Sequence, residues 1–122
     1  MALRQTAEDY LKTIYILSTK DEVIGAFIAD ELGISRPTVC VTLMALEKDG
    51  YLTMDSTHAV HLTDEGKRIG MRIQKRFENL KNLLETLGVD ITTASEDACK
   101  MEHAVSDKSF SALMSIIENK GV

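Results

Sequence analysis

The sequence predicts a mainly α-helical fold with one small β-hairpin. Apolar residues recur at helical spacing through most of the 122 residues. Two short apolar segments flank the polar stretch Asp55-Ser56-Thr57-His58, as a hairpin turn requires. Single glycines and short polar turns separate the segments, with no internal repeat and no linker. The length suits one compact domain, or one domain with a short appendage. A hydrophobic share of 44% is enough to build a core.

Taken in order, residues 6–18 read as a helix, with Leu11, Ile14, Tyr15, Ile16 and Leu17 as its apolar stripe. Thr6 and Asp9 form a capping box at its start. Lys20-Asp21-Glu22 is a polar turn. Residues 26–32 form a short helix that Gly33 stops. Ser35 caps the next helix, and Pro37 sits in its first turn, where a missing N–H costs nothing. Val39, Leu43 and Leu46 are its buried stripe, and Gly50 closes it. Residues 51–54 and 59–62 are the two strands. Thr63 then caps a long helix over residues 64–87, with Ile69, Ile73, Phe77, Leu80, Leu84 and Leu87 on its apolar side and Gly88 at its end. Helices follow at roughly 92–105 and 109–119. The last has Phe110, Leu113, Met114, Ile116 and Ile117 on its apolar side.

Helix, short helix, tight turn, helix, two-stranded hairpin, helix is the winged helix-turn-helix plan. The turn Gly33-Ile34-Ser35 is short enough for it. That geometry presents the N-terminal end of the second helix to a major groove, so residues 25–62 are expected to bind duplex DNA. The candidate contacts are Ser35, Arg36, Pro37, Thr38 and Thr42, with Cys40 and Val41 exposed among them and His58 at the hairpin tip. Arg36 can reach a guanine edge or a phosphate, and Thr38 and Val41 can touch thymine methyls. A plain helical hairpin in a globular core is the alternative. The exit Leu46-Glu47-Lys48-Asp49-Gly50-Tyr51-Leu52 and the hairpin favour the DNA reading.

The formal net charge of −5 does not advertise a nucleic-acid binder, but charge on the binding face decides. The basic side chains Lys67, Arg68, Arg72, Lys75 and Arg76 on the long helix read as a solvated face. Sparse positive charge implies weak binding by one copy, which a symmetric dimer on two half-sites remedies. No apolar run approaches the ~20 residues of a membrane span. Nothing marks the N-terminus for export, and the two cysteines, Cys40 and Cys99, fit a reduced cytoplasmic protein.

Cys99, Glu102 and His103 stand at i, i+3 and i+4, which puts them on one helix face. Thiolate, carboxylate and imidazole together suit a borderline divalent metal such as Fe, Co, Ni or Zn. A fourth ligand must come from elsewhere, and Asp9 is a candidate. The same spacing also fits Cys99 as core, Glu102 as surface, His103 as a satisfied core histidine and Asp9 as a cap. A Cys/His nucleophile pair has no orienting Ser or Asp and no substrate loop beside it. No catalytic residue and no small-molecule substrate are therefore expected.

These stretches make the sequence recognisable. Glu8-Asp9-Tyr10-Leu11-Lys12-Thr13-Ile14-Tyr15, Ile28-Ala29-Asp30-Glu31-Leu32, Pro37-Thr38-Val39, the 46–52 exit, Leu62-Thr63-Asp64-Glu65-Gly66-Lys67 and residues 97–107 occur in one collinear order. Together they resemble the diphtheria-toxin-repressor family of iron- and manganese-dependent transcriptional repressors. The resemblance implies a winged helix-turn-helix domain (1–65) and a helical metal-binding and dimerisation domain (66–122). It also implies homodimers that bind palindromic operators when loaded with metal. It assigns Asp9, Cys99, Glu102 and His103 as ligands of the regulatory ion, Fe2+ or Mn2+ first, with Co2+, Ni2+ and Zn2+ as further candidates. Pairing Asp9 with Cys99 mixes the manganese-type and iron-type sets, and the thiolate argues against a pure manganese preference. The family's second metal site falls here on Phe77, Lys81, Ser95 and Lys12, which implies that this site is missing. The sequence ends soon after its sixth helix, so the extra C-terminal domain of iron-type members is not expected. A winged-helix regulator without metal control, or one responsive to thiol oxidation at Cys99, is the alternative.

Overall fold

The computed structural model describes residues 5–119. Six helices and three short strands lie among them: α1 (Gln5–Ser18), β1 (Val23–Ile24), α2 (Gly25–Leu32), α3 (Arg36–Lys48), β2 (Leu52–Met54), β3 (Ala59–Leu62), α4 (Asp64–Thr86), α5 (Ile91–Ala104) and α6 (Asp107–Asn119). The chain divides into two compact units between Arg72 and Ile73, within α4.

In the first unit, Tyr10 and Ile14 from α1, Ile28 and Ala29 from α2 and Val39, Leu43 and Leu46 from α3 meet Val23, Leu52 and Val60 of the sheet in one core. Each helix contributes a stripe at i, i+3 or i+4 spacing, which removes apolar area from water on one face only. The sheet has the order β1-β3-β2, with Val23 opposite Val60 and Leu52 opposite Leu62. β1 corrects the two-stranded expectation. Two residues are too few to show an alternating pattern, and only their pairing with β3 makes them a strand. Thr6 lies inside α1, so the expected capping box does not open that helix.

The start of α4 is fitted tightly to this unit. Thr63 donates its hydroxyl to the Gly50 carbonyl at 2.8 Å and accepts the Gly66 amide at 3.2 Å, which caps the helix. A Cβ on Gly66 would overlap the Tyr51 carbonyl oxygen, and one on Gly70 would stand 2.5 Å from the Leu11 carbonyl oxygen. Backbone approaches this close admit glycine alone.

In the second unit, Ile73, Leu80 and Leu83 are buried on α4, and Ala94 and Ala98 on α5. Leu87, expected on the apolar side, is 58% exposed because α4 has already ended at Thr86. The side chain of Ile117 lies outside the described residues. α5 begins one residue earlier than expected, where the Asp90 carboxylate accepts the Thr93 amide. Ser106 does the same for Ser109, so α6 starts at Asp107. Arg76 is the main correction. It is not solvated but 8% exposed, and its Nη2 donates to the carbonyls of Val105 at 2.5 Å and Ser106 at 3.1 Å. Its guanidinium also stacks 4.8 Å from the Phe110 ring centroid.

Candidate functional site

The first candidate surface is the helix-turn-helix. Gly33 adopts φ +68° and returns its N–H to the Ala29 carbonyl, ending α2 in the left-handed turn that favours glycine. Ile34 donates to the same carbonyl, and Ser35 accepts the Thr38 amide to open α3. The turn is therefore three residues long, and the first turn of α3 stands at the surface. Ser35, Arg36, Pro37 and Thr38 are all exposed, as expected, while Thr42 is half-buried. The Ser35 and Thr38 hydroxyls lie 2.8 Å apart and hydrogen-bond to each other.

The hairpin is organised by one carboxylate. Asp55 Oδ1 accepts the Thr57 amide at 2.8 Å, the Thr57 hydroxyl at 2.6 Å and the Ala59 amide at 3.1 Å. Its Oδ2 lies 2.9 Å from His61 Nε2. The Thr57 hydroxyl first, then His61 and the Thr57 amide, hold the Asp55 carboxyl far below the usual carboxylate range. His58 is exposed at the tip with φ +64°, a conformation few non-glycine residues adopt. The edge strand β2 has its Met54 amide satisfied by the Glu47 carboxylate at 2.9 Å, which locks the hairpin to the end of α3.

Of the basic side chains near the start of α4, Lys67 is exposed. Arg68 pairs with Glu65, and Arg72 lies 3.6 Å from Glu8.

The second candidate surface is on α5. Glu102 is wholly buried, and its Oε1 lies 3.2 Å from His103 Nε2. Cys99, one turn earlier on the same helix, is exposed. The reading of Glu102 as surface and Cys99 as core therefore reverses. A carboxylate taken out of water needs a positive partner, which an imidazolium or a divalent cation supplies. Oxygen and nitrogen donors side by side, with a thiol at the adjoining turn, fit such an ion. Asp9 is half-buried on α1, in the first unit. Lys81, at a position where the resemblance places a second site, forms an ion pair with Glu85 at 3.0 Å. Arg76 was missed as a structural anchor, since a basic residue at helical spacing reads as solvated until its carbonyl partners are seen.

Two family models match this sequence. Residues 2–60 match the iron dependent repressor N-terminal DNA binding domain, and residues 63–120 match the iron dependent repressor metal binding and dimerisation domain. The diphtheria toxin repressor of Corynebacterium glutamicum is 31% identical over 119 residues, which are 96% of this chain and 52% of that protein. The transcriptional regulator MntR of Salmonella typhimurium is 32% identical over 97% of this chain and 76% of its own length. This chain thus spans about half the length of the Corynebacterium relatives. Among solved structures, a manganese-dependent transcriptional repressor in complex with manganese aligns with a TM-score of 0.82 at 29% identity, covering 91% of this chain and 52% of the other. ScaR with bound Zn2+ aligns with a TM-score of 0.78 at 27% identity, over 92% and 53%.

Proposed function

The chain belongs to the iron-dependent repressor family, and on that premise we propose that it is a metal-dependent transcriptional regulator. It binds a palindromic duplex operator as a homodimer and represses genes of metal uptake or homeostasis. It acts in the cytoplasm, where that DNA is, and it is not an enzyme.

The observation that carries this reading is the buried Glu102 carboxylate beside His103 Nε2. Cys99 joins them by helical spacing, and Asp9 is the fourth donor that the family pattern supplies. The set would hold Fe2+ or Mn2+, with Co2+, Ni2+ and Zn2+ as competitors, and the bound ion would supply charge neutralisation and a cross-link between its ligands. Glu102 contributes a hard anionic oxygen, His103 a neutral nitrogen and Cys99 a soft sulfur. Because Asp9 and Cys99 come from opposite ends of the chain, ligation restrains how the chain presents Ser35, Arg36, Pro37, Thr38, Thr42 and His58 to DNA. Metal and operator then favour the same state, each by its own differential affinity. The domain division at 1–65 and 66–122 separates the reading head from the controlling part.

Dimerisation is supported by an apolar cleft lined by Val105, Ala112, Leu113 and Ile116. It is also what the sparse basic charge of one helix-turn-helix requires.

The experiment is enrichment of random duplexes by the full chain with chelator and with each of Fe(II), Mn(II), Co(II), Ni(II) and Zn(II). A two-fold symmetric sequence enriched only with metal is expected. Equal enrichment with chelator overturns metal control and leaves the winged-helix regulator without it. Absence of salt-dependent duplex binding overturns the DNA reading itself.

A further inference from the structure

The hairpin between β2 and β3 carries no permanent cation. Residues 51–62 contain no lysine or arginine, and Asp55 is their only carboxylate. Two of the chain's three histidines, His58 and His61, lie there instead, and both are exposed. His61 Nε2 is 2.9 Å from Asp55 Oδ2, on the solvent side of the sheet, with Thr53 opposite it on β2. His58 stands at the tip, where its amide donates to the Asp55 carbonyl at 3.0 Å and its φ is +64°. A hairpin position of that kind favours glycine or asparagine. An imidazole held there against backbone preference points to a use for the ring itself.

Histidine is the side chain whose ordinary charge change falls between about pH 5 and 8. With both rings neutral, the hairpin has one carboxylate and no cation, and it repels phosphate. With both rings protonated, it has one carboxylate and two cations, so its net charge changes sign. Asp55 does not cancel this by titrating as well. The Thr57 hydroxyl, His61 and the Thr57 amide keep its carboxyl ionised far below that range. The charged groups around the two rings are mostly carboxylates. Glu22, exposed just before β1, falls opposite His61 when the β1–β3 register is extended by one residue. From α3, the Glu47 carboxylate is taken up by the Met54 amide, and Lys48 and Asp49 follow with opposite charges. Asp64 and Glu65 open α4 just beyond β3, and Glu65 pairs with Arg68. α1 meets β3 through Tyr10 and Ile14, in the core.

We propose that His58 and His61 form a proton-dependent contact between the hairpin and the DNA backbone, so that operator affinity rises as pH falls from about 8 to about 6. This rests on the proposed DNA-binding function, and adds to it a contact residue, His61, and a second controlling ion, the proton. A ring that takes up a proton on meeting a phosphate releases a condensed counterion from the DNA. Asp55 holds His61 through Oδ2 and closes the turn through Oδ1, so both rings are presented on a fixed hairpin. Metal ligands lose affinity as they protonate. The hairpin and the proposed metal set therefore respond to acid in opposite senses.

The test measures affinity of the full chain for its best enriched duplex at about pH 6 and about pH 8, each over a range of salt. Co(II) is kept at a concentration where its absorption is the same at both, so that metal occupancy does not change. The wild type is expected to bind about tenfold more tightly at the lower pH, with a salt dependence steeper by about two counterions per dimer, about one for each hairpin. The double variant His58→Gln, His61→Gln keeps hydrogen-bonding groups that do not titrate, and it is expected to bind alike at both. Protected Thr57 and Ala59 amides check that its hairpin is folded. His58→Lys carries a permanent charge, and at about pH 8 it is expected to show the steeper salt dependence and a gain in affinity. Wild-type binding that is equal or weaker at the lower pH overturns the proposal alone. So does a full pH response in the double variant, or no gain from His58→Lys. Failure to bind any duplex at either pH overturns the regulator reading and this proposal with it.

Discussion

Arg76 Nη2 on α4 donates to the Val105 carbonyl at the end of α5, 2.5 Å away. That carbonyl belongs to the C-cap of the helix that carries Cys99, Glu102 and His103. A cation at a helix C-terminus also complements the partial negative charge of the last carbonyls. The same guanidinium reaches Ser106 and stacks on Phe110, so it braces the elbow between α5 and α6.

Arg76→Met is expected to destabilise the chain by about 2 kcal/mol, the range for losing hydrogen bonds to a charged donor and leaving carbonyls unpaired. Arg76→Lys recovers little, because an ammonium cannot reproduce the planar fork that spans two carbonyls and a ring. Urea unfolding at constant pH measures both. Equal midpoints for the wild type and Arg76→Met would remove the bracing role.

Gly70 is passed by the Leu11 carbonyl oxygen and by the Tyr15 Cβ, at 2.5 and 2.9 Å from where its own Cβ would stand. Gly70→Ala is expected to cost about 1–3 kcal/mol despite the better helix propensity of alanine, since backbone must shift to make room. Gly66→Ala, which meets the Tyr51 carbonyl oxygen, is expected to be worse. A thermal melt of each variant decides, and a stabilised Gly70→Ala would contradict the packing.

The Asp55 carboxyl is depressed in the folded hairpin relative to its ordinary value of 3.8. Stability from such a group is fully present above the unfolded value and is lost as pH falls below it toward the folded one. The hairpin is therefore expected to hold at neutral pH and to loosen in acid below about pH 4. Asp55→Ala should loosen it at neutral pH as well. Hydrogen exchange of the Thr57 and Ala59 amides reads this directly, and unchanged protection in Asp55→Ala would rule it out.

Divalent metal is expected to raise the unfolding free energy of the wild type by about 2.7 kcal/mol at a hundred times its Kd. Glu102→Gln and His103→Ala should show little of that rise. Cys99→Ala should keep binding but shift preference toward Mn(II), as a soft donor is removed. Calorimetric titration with Co(II) and Mn(II) checks all three, and wild-type uptake by His103→Ala would remove that residue from the ligand set.

Much of this protein was legible in local patterns. Gly33 as a helix stop, Ser35 as a cap, the turn at residues 55–58 and the exposed first turn of α3 depend on few neighbouring residues, and local chemistry dictates them. The one-turn spacing of Cys99, Glu102 and His103 is likewise a property of the helix itself. Tertiary structure decided the rest, because burial depends on what the fold brings against a residue. It made a strand of Val23–Ile24 by pairing it with β3, and it buried Glu102 while leaving Cys99 exposed. It turned Arg76 from a solvated cation into a brace, and it left Val41 and Met44 uncovered on the crest of α3. Periodicity says which side chains share a face, but only packing says whether that face meets a core, a carbonyl or water.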